Sequence, residues 1–277
     1  MEEAIAYLLV GLGTGALGVM VGIGGGVILV PVLLYFFHMQ PAAAAGTSLG
    51  LTAINGLAGT YAYYKLRLVD MRSGVLFGLA GVFGAVVAPF VVAAVAGGVF
   101  KVAFGLLVLG ISVQMVLKQR GGKVTRPDGG LAAGDSSGGA RHIVAKDGKE
   151  YRYSFNEKLG MALNFVVGFI SSFTGTGGGF MRTPLMVSML GFPVVVAVAT
   201  SVFVLAVTSA IGFGVNAALG HVEWYPAFLW TAPGLLVGSQ LGARVASRMS
   251  AKWLVRTLIV ILVVIGVRLV WDGVLGS

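Results

Sequence analysis

Gly22-Ile23-Gly24-Gly25-Gly26-Val27-Ile28-Leu29-Val30-Pro31 and, 153 residues later, Gly175-Thr176-Gly177-Gly178-Gly179-Phe180-Met181-Arg182-Thr183-Pro184 are two copies of one pattern. A glycine run of this kind interrupts a helix. Glycine costs about 1 kcal/mol relative to alanine in a helix interior, and it tolerates left-handed backbone that other residues resist. The segments next in the chain, Val27 to His38 and Phe180 to Leu190, are apolar. Each is about half the length of a membrane-crossing helix, which needs roughly 20 residues. The pattern predicts a helix, a glycine break and a half-length helix, twice over.

Two further landmarks keep the same register. Thr47-Ser48 recurs as Thr200-Ser201, and Asp70 recurs as the acidic Glu223, both at an offset of 153. Three matches in one register indicate a duplicated chain. Segments read at 4–21, 25–38, 41–65, 72–96 and 99–118 make the first copy, residues 1–118. Residues 158–277 make the second. Between them, 119–157 is rich in glycine and charge and reads as a flexible linker. Within it Asp147-Gly148 is a turn signal for a short hairpin near Ile143 to Tyr153.

The surroundings of these motifs are membranous. Ser73 to Phe100, Leu159 to Met181, Thr183 to Gly220 and Trp224 to Ala243 carry no charged residue. Over all 277 residues, 57% are hydrophobic and only 10% charged, with a mean hydropathy of +0.94. A soluble domain carries about 25% charged residues, so most of this surface must face lipid. Periodic alternation is absent, which excludes a barrel and leaves helices. The expected fold is an all-α integral membrane protein. The opening Met1-Glu2-Glu3 lacks the positive start of a signal peptide, so the first run is read as retained.

Lysine and arginine in short loops set orientation. Lys65, Arg67 and Arg72, the linker, and Arg244, Arg248, Lys252 and Arg256 are expected on the cytoplasmic side. The loop at His221-Val222-Glu223 has no basic residue and is expected outside, although it is the counterpart of the Lys65–Arg72 loop. Equivalent loops on opposite sides imply two inverted repeats of about five segments each, with both termini external. The two glycine-broken half-helices then meet near the membrane centre.

Little supports catalysis. There is no cysteine, and the three histidines, His38, His142 and His221, are scattered, so no metal cluster and no cofactor is expected. Gly11-Leu12-Gly13-Thr14-Gly15 follows no strand and fails as a nucleotide loop. The net charge of +9 lies in loops between apolar runs, where it sets membrane orientation, so the bilayer is an expected partner and nucleic acid is not. The spaced glycines Gly74/Gly78 and Gly234/Gly238/Gly242 read as close-packing stripes, internal or at a homodimer contact.

An anion suits the glycine breaks. Half-helix N-termini offer unpaired N–H groups and partial positive charge. Glycine lets a ligand approach that backbone. The expected substrate-binding residues are Gly24, Gly25, Gly26, Thr47, Ser48, Gly177, Gly178, Gly179, Arg182, Thr200 and Ser201. Arg182 matters most, because a charge at membrane depth is expensive and is functional by default; its counterpart is Leu29. The competing reading assigns the glycines to helix packing and the hydroxyls to their own helix backbone.

The paired Gly-x-Gly-Gly-Gly-(x)4-Pro motifs, each succeeded by an alanine-rich stretch ending in Thr-Ser, resemble the TauE/SafE family of sulfite and organosulfur anion exporters. The likeness runs from about Gly11 to Val270. It implies a multi-pass inner-membrane permease exporting sulfite, sulfoacetate or a related anion. Its matching positions are Gly24 to Gly26, Pro31, Thr47 and Ser48, then Gly177 to Gly179, Pro184, Thr200 and Ser201. A permease for another small anion or solute, or a non-transporting membrane assembly or sensor subunit, is the alternative.

Overall fold

Each glycine run breaks a helix, as expected from its composition. A computed structural model describes residues 2–21, 25–120, 140–246 and 251–275. In the first half it places α1 (Glu2–Val21), α2 (Gly26–Phe36), α3 (Pro41–Lys65), α4 (Met71–Ala94) and α5 (Gly97–Arg120). The second half holds α6 (Glu157–Thr174), α7 (Gly179–Ser188), α8 (Val194–Ala218), α9 (Leu229–Ala246) and α10 (Ala251–Leu275), with a kink before α9 where Tyr225 is extended. At about 1.5 Å per residue, α2 and α7 reach only about half of a 30 Å hydrocarbon layer.

Local chemistry sets the boundaries. Pro41 opens α3 at a position where its missing N–H costs nothing. Asp70 caps α4 by accepting from the Ser73 N–H at 3.0 Å, and Asn156 caps α6 by accepting from the Leu159 N–H at 3.1 Å. Gly175 ends α6 in the left-handed region.

The duplication extends to the backbone. Left-handed φ values occur in pairs at the offset of 153: Gly25 with Gly178, His38 with Gly191, Arg67 with Gly220. The Met39 N–H donates to the Leu33 carbonyl at 3.1 Å, and Phe192 to Met186 at 3.0 Å. Leu68 donates to Tyr63 and His221 to Asn216 in the same way.

The halves interlock. α1 packs on α9, α4 on α6, α3 on α8 and α5 on α10, so each of these helices finds a main partner in the other half. Small residues make this approach close. A methyl group added at Gly238 would lie 2.1 Å from the Leu12 carbonyl oxygen, and one at Gly168 would lie 2.2 Å from that of Gly81. The stripes at Gly74 and Gly234 likewise face neighbours within the molecule, Phe203 and Leu8. Outward, α4 presents Leu79, Phe83 and Phe90, and α10 presents Val260, Val264 and Trp271, all exposed and apolar. By length and composition, Met71–Ala94 and Val194–Ala218 are each apolar enough to cross a membrane.

Among the described residues the departure from an all-α fold is a hairpin, β1 (Arg141–Val144) with β2 (Glu150–Tyr153), paired Arg141 to Tyr153 and Val144 to Glu150. Its turn uses Gly148 at φ 82°. The last part of the expected flexible linker is therefore structured and packed: Tyr153 and Phe155 are buried with Phe77, Met186, Leu190 and Phe192. Residues 121–139 lie outside the described residues, as do the side chains of Arg244, Arg248, Lys252 and Arg256.

Candidate functional site

The two glycine breaks meet. A methyl group at Gly26 would sit 2.8 Å from the carbonyl oxygen of Thr176, inside the second break. One at Gly175 would sit 2.5 Å from the Cα of Ala45 on α3. Ser48 joins this junction directly, its hydroxyl donating to the Gly175 carbonyl at 2.7 Å. Gly25 and Gly178, both left-handed, precede the half-helices, and neither half-helix has a side-chain cap. Gly177 and Gly179 face Thr52, Ser209 and Leu205. Gly24 lies outside the described residues.

Arg182 stands in the first turn of α7 and is only 1% exposed. Its Nε donates to Asn164 Oδ1 at 2.8 Å. Asn164 is itself oriented, since its Nδ2 donates to the Gly160 carbonyl at 2.9 Å. Nη1 and Nη2 are buried and have no protein partner. The guanidinium lies close to Gly81 of α4, where Thr208 of α8 also packs. A second buried group without a partner, the Ser209 hydroxyl, lies beside Gly177. Burying a charge without compensation costs several kcal/mol. Buried polar groups are nearly always hydrogen-bonded, so orphaned donors call for an explanation. Two orphaned guanidinium nitrogens near Asn164 and Gly81, carried on the first turn of α7, are suited to an oxyanion, which would serve as both counter-ion and acceptor.

The expected shell divides. Thr47 and Thr200 do not turn their oxygens to the junction. Thr47 Oγ1 accepts from the Glu223 N–H, and Thr200 Oγ1 accepts from the Asp70 N–H, each at 3.0 Å. Both are ties between the halves. Ser201 lies within 2.7 Å of the Thr183 hydroxyl and donates to the Val198 carbonyl at 3.0 Å. Thr52, Asn164, Thr208 and Ser209 stand nearer the glycines or the guanidinium, and the glycine motifs do not point to them. Helical spacing carries a signal for Thr208, seven residues after Ser201 and so on the same face of α8.

Thr200→Val therefore serves as a control. It leaves the Asp70 N–H buried without an acceptor, at a cost of about 1–3 kcal/mol. The melting temperature in detergent should fall while anion affinity of the folded protein stays at the parental value. An affinity loss without a melting shift would return Thr200 to the site.

The family model of the sulfite exporter TauE/SafE matches residues 7–269. The chain belongs to the TauE/SafE family. Among relatives, the probable membrane transporter protein YunE of Bacillus subtilis is 32% identical, with 98% of each chain covered. A probable membrane transporter protein of Xylella fastidiosa is 28% identical over 85% of this chain and 84% of its own. One of Methanocaldococcus jannaschii is 25% identical over 79% and 73%. No solved structure matches. TauE/SafE membership, these relatives and the apolar helices make this chain a membrane transporter.

Proposed function

We propose that this transporter exports a small sulfur-containing anion, such as sulfite, from the cytoplasm across the plasma membrane, and that the anion binds at Arg182 beside the junction of the glycine breaks. The observation that carries the reading is the buried guanidinium whose Nη1 and Nη2 have no partner. The sulfur chemistry rests on the family description.

An inverted arrangement of the halves accounts for the packing. Tyr7 of α1 stacks on Phe37 after α2, with ring centroids 3.9 Å apart, so α2 returns towards the end where α1 starts. Phe155 before α6 lies 4.7 Å from Phe192 after α7, so that pair closes at the opposite end. Lys65, Arg67, Arg72, Arg141, Lys146 and Lys158 cluster around the α3–α4 turn, the hairpin and the start of α6. This is the end that the positive-inside rule assigns to the cytoplasm. A reporter fused near Gly138 should read cytoplasmic and one near Gly220 external. The same side for both would contradict the inversion.

No aspartate or glutamate lies mid-span in α3, α4 or α8; Asp70 and Glu223 stand at helix starts. A proton relay uses an intramembrane carboxylate or histidine, so His38 or a protonated substrate is the alternative route to proton coupling. Export is then driven by the membrane potential, worth about 2.3 kcal/mol per charge per 100 mV. Purified protein in liposomes should move sulfite in proportion to an imposed potential. Flux that tracks a pH gradient at clamped zero voltage would overturn this coupling, and no flux of any anion by folded protein would overturn the transport reading.

A further inference from the structure

We infer that the hairpin spanning Arg141 to Tyr153 is a removable strap, which seals its end of the protein in this conformation and lifts off that end during transport. The inference rests on the transport reading above.

The strap ties both halves at one end. The Lys146 N–H donates to the Leu66 carbonyl at 3.0 Å, and Ala145 packs with Leu68 and Val69 of the α3–α4 turn and with Ala199 of α8. The Tyr153 hydroxyl donates to Asp70 Oδ2 at 2.7 Å. Arg141, 8% exposed, lies 3.5 Å from Asp70 and pairs with Glu157 at the start of α6. Burial, with Asp70 adjoining, pushes the Tyr153 phenol up, so it remains a donor at any physiological pH. The hairpin's other side is solvent-facing. There Glu150 pairs with His142 and Arg152, and Arg152, then His142, hold its carboxyl below the usual range.

The opposite end repeats the turn hydrogen bond, His221 to Asn216 as Leu68 to Tyr63, and carries no equivalent cover among the described residues. Glu223, counterpart of Asp70, is exposed while Asp70 is 5% exposed. Two adjoining cavities of about 380 and 320 Å³, sharing Pro41 and Gly97, open at that end. One end is thus strapped, and the other carries two open clefts.

The strap's attachments also suit release. A two-stranded hairpin is at best marginally stable alone, so its order depends on docking. Its polar anchors converge on one group, Asp70 at the start of α4, so detachment there frees both Tyr153 and Arg141.

The chain has no cysteine, so introduced thiols are unique. Leu68→Cys with Ala145→Cys should cross-link on oxidation in proteoliposomes. Sulfite flux should fall at least tenfold and return on reduction. Parental flux through the oxidised protein would overturn the strap. A second readout does not depend on sulfite. Ala145→Cys alone should react with a membrane-impermeant maleimide at least tenfold faster than Ala197→Cys, buried in a core cluster beside the hairpin. Equal rates would show a hairpin that never lifts, and would overturn the strap whatever the flux. Faster labelling at position 145 with no anion flux even in the parent would instead sink the transport reading.

Discussion

Arg182→Ala should bind sulfite roughly 10- to 100-fold more weakly than the parent. A hydrogen bond to a charged group contributes about 1.5–3 kcal/mol net, and each 1.4 kcal/mol is tenfold in affinity. Arg182→Lys should recover part of the loss, since the charge remains while the planar fork does not. A thermal readout separates binding from folding. In the absence of anion the parent buries a guanidinium with two orphaned nitrogens. Arg182→Met keeps much of the side-chain volume and removes that charge, so it should melt higher than the parent without anion and gain nothing when anion is added. Leu29→Ala, at the counterpart position in a fully buried apolar setting, should cost about 2–5 kcal/mol of stability and leave affinity alone. Unchanged sulfite binding by folded Arg182→Ala would make the arginine structural and remove it from the site.

Substitution at the glycine junction should abolish transport altogether. Gly177 has φ 77°, and a methyl there would lie 2.3 Å from Thr52 Cγ2. Gly177→Val adds left-handed strain to a collision, and both act where α7 begins. Gly26→Val meets backbone instead, the Thr176 carbonyl at 2.8 Å, which cannot rotate away as a side chain can. Flux should fall to the empty-liposome level in both, checked on protein that elutes as the parent does in size exclusion. Gly13→Ala, with open space around its Cβ position, is the matched control and should transport normally. Flux through well-folded Gly177→Val would show that the junction is not part of the path.

Much of the architecture was readable because it depends on composition and spacing. The glycine runs, Pro41 and the offset of 153 mark breaks and helix starts, and α3 begins and ends where the pattern places it. The site was readable only in part. Arg182 stands out as a lone charge in an apolar run, and its burial follows from that. The roles of Thr47 and Thr200 do not, because they depend on which backbone N–H lies opposite, Glu223 or Asp70, in the other half. Periodicity says which face of a helix a hydroxyl occupies and nothing of the neighbour it meets. The Asp147-Gly148 signal did mark the hairpin, but its docking on the helices escaped for a similar reason. A glycine-rich, charged stretch reads as linker, and only the contacts of Tyr153 and Phe155 with α4 and α7 hold it down.

The exchange of threonine acceptors has a consequence for how the molecule is made. The N–H of Asp70, at the turn into α4, bonds to Thr200, which is synthesised 130 residues later. The N–H of Glu223 bonds to Thr47, placed in the chain long before it. A first half emerging alone has a turn it cannot finish and a hydroxyl with nothing to accept. It must wait, partly assembled, for its complement. Thermal melting should then be one cooperative transition with no half surviving the other. A chain severed between residues 121 and 139 should assemble only when both pieces are supplied together.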